Sequence, residues 1–220
     1  MCGRFTLTDS PSELLAVLGI EAAPVLAPRY NVAPTQGVAA VVNESQRRLE
    51  LLHWGLVPSW AKDAAIGGRM INARVETLAE KPSFATPLKR RRCLVLADGF
   101  YEWRKVGTGK KPVYFRLPGH APFAFAGLWE TWTPPAGPAL RSCAIVTAAA
   151  SGVVATVHER MPVVLSRERY EAWLDPAART AGEALAALAD LPEVPWELIS
   201  VSTRVNSPAY DGPECIAPAE

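Results

Sequence analysis

The chain has 220 residues, 49% of them apolar and 20% charged, and its 23 Lys plus Arg against 22 Asp plus Glu leave a formal net charge of +1. That composition supplies a sizeable core and excludes an intrinsically disordered chain, and no stretch of about 18 apolar residues is available to cross a bilayer. A protein that coats nucleic acid through bulk charge is far more basic, so any polyanion must be held in a local groove by placed arginines.

The first residues lack the basic-then-apolar layout of a signal peptide, so the expected location is cytoplasmic. Cys2, Cys93, Cys143 and Cys215 are widely spaced, as are His53, His120 and His158. Neither set has metal-ligand or disulfide-scaffold spacing, so no metal and no cofactor is expected and the thiols are read as reduced.

A short strand-like opening is followed by Asp9-Ser10-Pro11-Ser12-Glu13, a helix start with a capping side chain and a first-turn proline. Leu14, Leu15, Val17 and Leu18 give that helix an apolar face, and Gly19 stops it. Residues 29–35 carry too much turn chemistry for regular structure. Segments 37–42 and 47–54 read as a hairpin. An aromatic, proline-bearing loop covers 54–62, and a short helix is expected around 84–90. The apolar run 93–97 is a buried strand that continues past Gly99 through Arg104, with a bulge at the glycine. Strands follow at 113–117, 123–132 and 141–149, then a helical turn over 151–157 ending at His158, and a strand over 161–166. Helices at 167–174 and 180–189 precede a last strand near 198–202.

Hairpin-length turns outnumber helical crossovers, so the sheet must be largely antiparallel. No linker or composition break divides the chain. The expectation is one α+β domain over 1–220, a curled, barrel-like sheet with several flanking helices.

Cys2 is the residue with the most unusual chemistry. If Met1 is removed, Cys2 carries an α-amine and a thiol on adjacent carbons, with reference pKa values of about 7.7 to 8.0 and about 8.5. An aldehyde can form an imine with that amine and then close a five-membered thiazolidine with the sulfur. Asn72, Arg74, Glu102, His158 and Arg160 lie in otherwise apolar or turn-shaped settings. Each has an ordinary structural reading, yet together they offer an acid/base pair, an amide and two guanidiniums suited to phosphate.

The segments Met1-Cys2-Gly3-Arg4-Phe5, Arg29-Tyr30-Asn31-Val32-Ala33-Pro34, Trp54-Gly55-Leu56-Val57-Pro58-Ser59-Trp60, Ile71-Asn72-Ala73-Arg74-Val75-Glu76-Thr77, Ala97-Asp98-Gly99-Phe100-Tyr101-Glu102-Trp103, Val146-Thr147-Ala148-Ala149-Ala150 and His158-Glu159-Arg160-Met161-Pro162 occur in this order. The set resembles the successive motifs of the SOS response-associated peptidase family, also called abasic-site processing proteins. The match runs to about residue 165 and is looser over 202–206. The resemblance implies a DNA-repair protein of the SOS damage response that senses abasic sites in single-stranded DNA and crosslinks to them through Cys2. It also implies autocatalytic removal of Met1, the peptidase and hydrolase activity of the family name. Cys2 would be the nucleophile, with Asn72, Glu102 and His158 lining the pocket. Arg74 and Arg160 would grip phosphates, Trp60 and Pro34 would stack on or part the bases, and Arg4, Trp103 and Thr147 would complete the DNA-binding set.

Beside the resemblance, the residues support a chemical sequence. His158, with a reference pKa of about 6.5, can shuttle the proton that opens the closed hemiacetal of an abasic sugar. Glu102 can take the amine's proton, and Asn72 can orient without titrating. An imine that fails to close could promote β-elimination, so weak lyase activity is expected. The protein is expected to act as a monomer with no membrane partner, nucleoid-associated when on DNA. Two alternatives stay open: an N-terminal-nucleophile thiol peptidase acting on peptides, and a non-covalent reader of single-stranded or modified DNA.

Overall fold

The computed structural model describes residues 2–21, 23–44 and 46–219. Within them the strands are β1 (Phe5–Leu7), β2 (Arg29–Val32), β3 (Gly37–Val42), β4 (Leu49–Trp54), β5 (Asn72–Arg74), β6 (Arg92–Ala97), β7 (Gly99–Val106), β8 (Gly109–Arg116), β9 (Phe123–Trp132), β10 (Leu140–Ala149), β11 (Arg160–Pro162), β12 (Val164–Leu165) and β13 (Glu197–Ser200). The α-helices are α1 (Ser12–Val17), α2 (Pro82–Arg90), α3 (Gly152–Ala155), α4 (Tyr170–Leu174) and α5 (Ala181–Ala186).

The hairpin β3–β4 pairs onward on both sides, β4 with β10 and β3 with β6, while β6 pairs with β9 and β9 with β10. Those five strands therefore close a ring. Every step is antiparallel except β10 beside β4. Closure removes the sheet edges that would otherwise template pairing with another chain. A second, wholly antiparallel sheet runs β13-β8-β7-β1-β2.

Strand β6 shows why the barrel forms, because all six of its residues are buried. With a period of two, Cys93, Val95 and Ala97 face a cluster that holds Phe5, Trp54 and Phe125, while Leu94 and Leu96 face a second cluster. That second cluster takes in Leu88, Tyr170, Trp173, Leu174 and Ala184, residues of α2, α4 and α5. One face thus fills the barrel and the other receives the helices.

The expected α+β class and the barrel-like, largely antiparallel sheet hold, with several local corrections. Residues 29–32 form a regular strand, because the Asp211 carboxylate accepts the Tyr30 and Asn31 amides at 2.6 and 2.7 Å and holds the chain extended against β1. The run 93–104 is two strands in two sheets rather than one bulged strand. Asp98 sits at the crossing, fully buried, and accepts bonds from Thr6 Oγ1, Thr8 Oγ1 and the Thr8 and Asp9 amides. Gly99 is required there, since a Cβ would lie 2.2 Å from the Tyr114 hydroxyl.

Helix α1 starts at Ser12 with Pro11 at its cap and no side-chain capping bond. The reciprocal capping box belongs instead to Thr180 and Glu183 at the start of α5. Segment 161–166 splits into β11 on β10 and β12 on β9. Between them Val163 donates to Val146 and accepts from Ala126, spanning the two barrel strands. Strand β5, parallel to β10, is too short to show in the sequence pattern.

Candidate active site

The site forms where the second sheet meets the barrel. Strand β1 pairs with β7 through Phe5 opposite Phe100, and the Tyr101 amide donates to the Arg4 carbonyl at 2.9 Å. That antiparallel register, continued toward the N-terminus, carries Cys2 alongside the part of β7 that holds Glu102. From the barrel side, β5 lies on β10 with Asn72 opposite Ile145, and the Asn72 side-chain amide donates to the Cys2 carbonyl at 2.8 Å. Cys2 is fully buried and Glu102 is 3% exposed. Met1, and with it the question of its removal, lies outside the described residues.

Burial pushes the Cys2 thiol well up, and the negative charge of Glu102 adds to that effect. The thiol is therefore neutral in this state. The Glu102 carboxyl is raised chiefly by burial, against the charges of His158 and Lys110, which pull it down. Three groups named from the sequence, Cys2, Glu102 and His158, are thus electrostatically linked around one point. Asn72 Oδ1 is buried with no hydrogen-bond partner among the described residues, an acceptor available to a bound ligand.

His158 follows α3, its own amide donating to the Val154 carbonyl at 3.0 Å. Its Nδ1 lies 3.0 Å from the Arg160 amide nitrogen, which donates to it, and 3.2 Å from the Arg160 carbonyl oxygen. Arg160 lies on β11 opposite Ala149. Its guanidinium spans Glu76, the Thr147 carbonyl at 2.6 Å and, more weakly, Thr147 Oγ1 at 3.4 Å. Glu76 holds both terminal nitrogens, and Arg160 Nε is buried without a hydrogen-bond partner among the described residues. Sequence reasoning does not single out Glu76. Its only signal there is its position two residues after Arg74, at the end of the short strand β5.

The remaining DNA-binding candidates divide by exposure. Trp60 is 58% exposed on the loop after β4, and Arg74 is exposed at the end of β5. That loop is fixed at its base by the Trp54 indole, which donates to the Ile71 carbonyl at 2.9 Å. A Cβ on Gly55 would lie 2.7 Å from the Gly67 carbonyl oxygen, so the two backbones can approach only with glycine there. Pro34 is half-buried and precedes Thr35, a non-glycine residue at φ 70° whose amide donates to the Trp54 carbonyl at 2.8 Å.

Arg4 and Thr147 point elsewhere. Arg4 is 9% exposed and its guanidinium donates to Asn31 Oδ1 at 2.7 Å and the Val205 carbonyl at 2.6 Å, tying β1 to the chain near its C-terminus. It lies 5.9 Å from the Trp103 ring centre, and the Trp103 indole donates to Asn206 Oδ1 at 2.8 Å. Thr147 is fully buried. No group of three His, Cys, Asp or Glu side chains able to hold a metal occurs among the described residues. No helix there is long and apolar enough to cross a membrane.

Comparison with known proteins gives the family of the chain. The chain is 41% identical over 221 residues to the abasic site processing protein YoqW of Bacillus subtilis, covering 98% of this chain and 99% of that one. It is 35% identical to the abasic site processing protein HMCES of Gallus gallus, covering 88% of this chain and 67% of that one. Among solved structures, a phage-related protein from Bordetella bronchiseptica superposes with a TM-score of 0.74 at 31% identity, covering 91% of this chain and 94% of that one. A protein from Bacteroides thetaiotaomicron superposes over the whole of both chains with a TM-score of 0.87 at 24% identity, a likeness of fold. With the model of the SOS response associated peptidase family matching residues 1–208 as well, the chain belongs to that family.

Proposed function

We propose that this protein processes abasic sites in single-stranded DNA by forming a covalent thiazolidine with Cys2 after Met1 has been removed. The observation that carries the reading is a buried cysteine at position two, its carbonyl held by Asn72, within electrostatic reach of Glu102 and His158. The names of the relatives support the substrate class.

The abasic sugar is mostly a closed hemiacetal. His158 relays the proton of the C1′ hydroxyl to the ring oxygen, so the bond from C1′ to that oxygen breaks, the ring oxygen leaves as a hydroxyl and the aldehyde is released. The Cys2 amine attacks C1′, and Glu102 carries one amine proton to the carbonyl oxygen to give a carbinolamine. Glu102 then carries the second nitrogen proton to the hydroxyl, so one water departs and an imine remains. Because burial keeps the thiol neutral, sulfur adds second: the S–C bond forms while the S–H proton passes to the imine nitrogen. Consuming the aldehyde removes the route to strand cleavage by β-elimination. An imine that does not close retains that route, the source of a weak lyase activity.

Autocatalytic removal of Met1 would use the same groups on the Met1–Cys2 peptide bond. Arg74 and Trp60, both exposed, would make phosphate and base contacts, and Arg160 would join them when Glu76 releases its fork. Arg4, Trp103 and Thr147 would then act from beneath, by holding β1, β7 and Arg160 in place.

The test is an abasic single-stranded oligonucleotide, made by uracil-glycosylase treatment, incubated with wild type and with Cys2→Ala. Wild type should give a denaturation-resistant adduct, and Cys2→Ala should give none while still binding the strand. An adduct of undiminished yield with Cys2→Ala would overturn the proposal.

A further inference from the structure

The hairpin of β7 and β8 carries four cations in an arrangement that costs stability. Register places Arg104 opposite Lys111 and Lys105 opposite Lys110, two directly facing like-charge pairs next to the Gly107 turn. Lys105, Lys110 and Lys111 are exposed and Arg104 is half-exposed. Like charges facing one another across an antiparallel pair oppose its formation. Among the described residues no carboxylate forms an ion pair with any of the four, although Arg29, Arg47, Arg48, Arg91, Arg116, Arg141, Arg160 and Arg167 all have acidic partners. A net charge of only +1 makes an uncompensated group of four the more notable.

Two further observations connect this hairpin to a ligand. Strand β7 is also the strand of Glu102, two residues before Arg104 and so on the same face, and the charge of Lys110 is felt at the Glu102 carboxyl. On the other side Lys111 lines a shallow groove of about 680 Å³ with Arg204 and the hydroxyl residues Ser200, Ser202 and Thr203. Glu214, the one acid on its wall, accepts from the Tyr210 hydroxyl at 2.6 Å. Two cations and three hydroxyls against the one carboxylate of Glu214 leave donors that phosphate oxygens can take up.

We propose that the β7–β8 hairpin, with the groove beside Lys111, is a second DNA-contact site that binds backbone phosphates of the strand flanking the lesion. It rests on the proposed action on abasic single-stranded DNA and extends it: Cys2 and its neighbours hold the damaged nucleotide, and the hairpin holds the strand leading away from it. Sequence is not read there, because phosphate contacts position without specifying.

The test compares wild type with Arg104→Gln/Lys105→Gln/Lys111→Gln on a single strand carrying a central abasic site, Lys110 being kept because its charge acts on Glu102. Binding is read by fluorescence anisotropy across a salt series and adduct yield by denaturing gel. The triple variant should have a shallower dependence of log K on log salt, by about 0.7 for each phosphate of a single strand that it no longer neutralises, and so by about 0.7 to 2.1 for one to three phosphates. Its affinity at low salt should fall at least about fivefold, and adduct yield at saturating DNA should match wild type. Its melting temperature should be unchanged or higher, since repulsion has been removed. An unchanged salt slope and affinity would overturn the hairpin's role while wild-type adduct formation left the main reading intact. Absence of adduct in wild type would strike that main reading instead.

Discussion

Replacing Glu102 by Gln separates stability from chemistry, and the two should move in opposite directions. Glu102 is 3% exposed, and burial raises its carboxyl above the ordinary range against the charges of His158 and Lys110. A carboxyl raised in the folded state favours folding while protonated, below the unfolded value of about 4.3, and that contribution is lost as pH rises through the folded value. At pH 8 the ionised side chain therefore weighs against the native state. A tenfold change in proton affinity between the folded and unfolded chain corresponds to about 1.4 kcal/mol. Each kcal/mol of penalty relieved raises the melting temperature of a chain of this length by about 2 to 4 °C. Glu102→Gln should melt higher than wild type at pH 8, and the gain should vanish by about pH 4. Thermal unfolding followed by circular dichroism across that range is the assay, alongside the rate of adduct formation, which should fall by about 100-fold or more. A variant that melts lower than wild type at pH 8, or whose gain does not depend on pH, would refute the reasoning.

The remaining predictions concern how Arg160 and Arg4 are held. Glu76→Gln removes the carboxylate that occupies both terminal nitrogens of Arg160. The pair is partly exposed and worth about 1 kcal/mol. Single-stranded DNA should therefore bind about 3- to 10-fold more tightly in an anisotropy titration, and weaker binding would mean that Glu76 aligns Arg160 instead of competing for it. Asn31→Ala leaves Arg4 without one of its two acceptors and takes the amide away from the carbonyls of Val205, Ser207 and Tyr210. It should lower stability by about 2 to 4 kcal/mol in urea unfolding and make the segment after residue 200 more sensitive to limited proteolysis. A loss below about 1 kcal/mol would show that the Val205 contact of Arg4 suffices.

The barrel strands are legible because their burial is periodic or continuous. Residues 37–42, 93–97 and 123–132 read as strands from apolar patterning, and the structure has them as β3, β6 and β9. What patterning cannot show is closure. The β9–β10 and β10–β4 pairings join strands into a ring, and the second links distant segments in parallel. The sheet switch at Asp98 is hidden for a related reason: a buried carboxylate that takes up four donors looks, in sequence, like an ordinary turn residue. Strand β2 is masked by its polar residues, whose amides and side chains are held by Asp211 and by carbonyls near the C-terminus.

In the site, Cys2, Asn72, Glu102 and His158 are recognisable as chemical types, and the family motifs mark them. The approach of Cys2, Glu102 and Asn72 depends on two pairings, β1 with β7 and β5 with β10, and the second involves a strand of three residues too short to carry a pattern. The inward turn of Arg4 and the capture of Arg160 by Glu76 are likewise contacts between distant segments. A guanidinium suited to phosphate and one spent on a carboxylate have the same sequence signature.

The central expectation is that Cys2, freed of Met1, captures an abasic aldehyde through its α-amine with loss of one water. Intact-protein mass spectrometry with and without an abasic single strand tests it in one measurement. The claim predicts a free protein lacking the mass of Met1 and an adduct equal to that protein plus the DNA minus one water. An adduct in which Met1 is retained, or a processed protein that forms none, would contradict it.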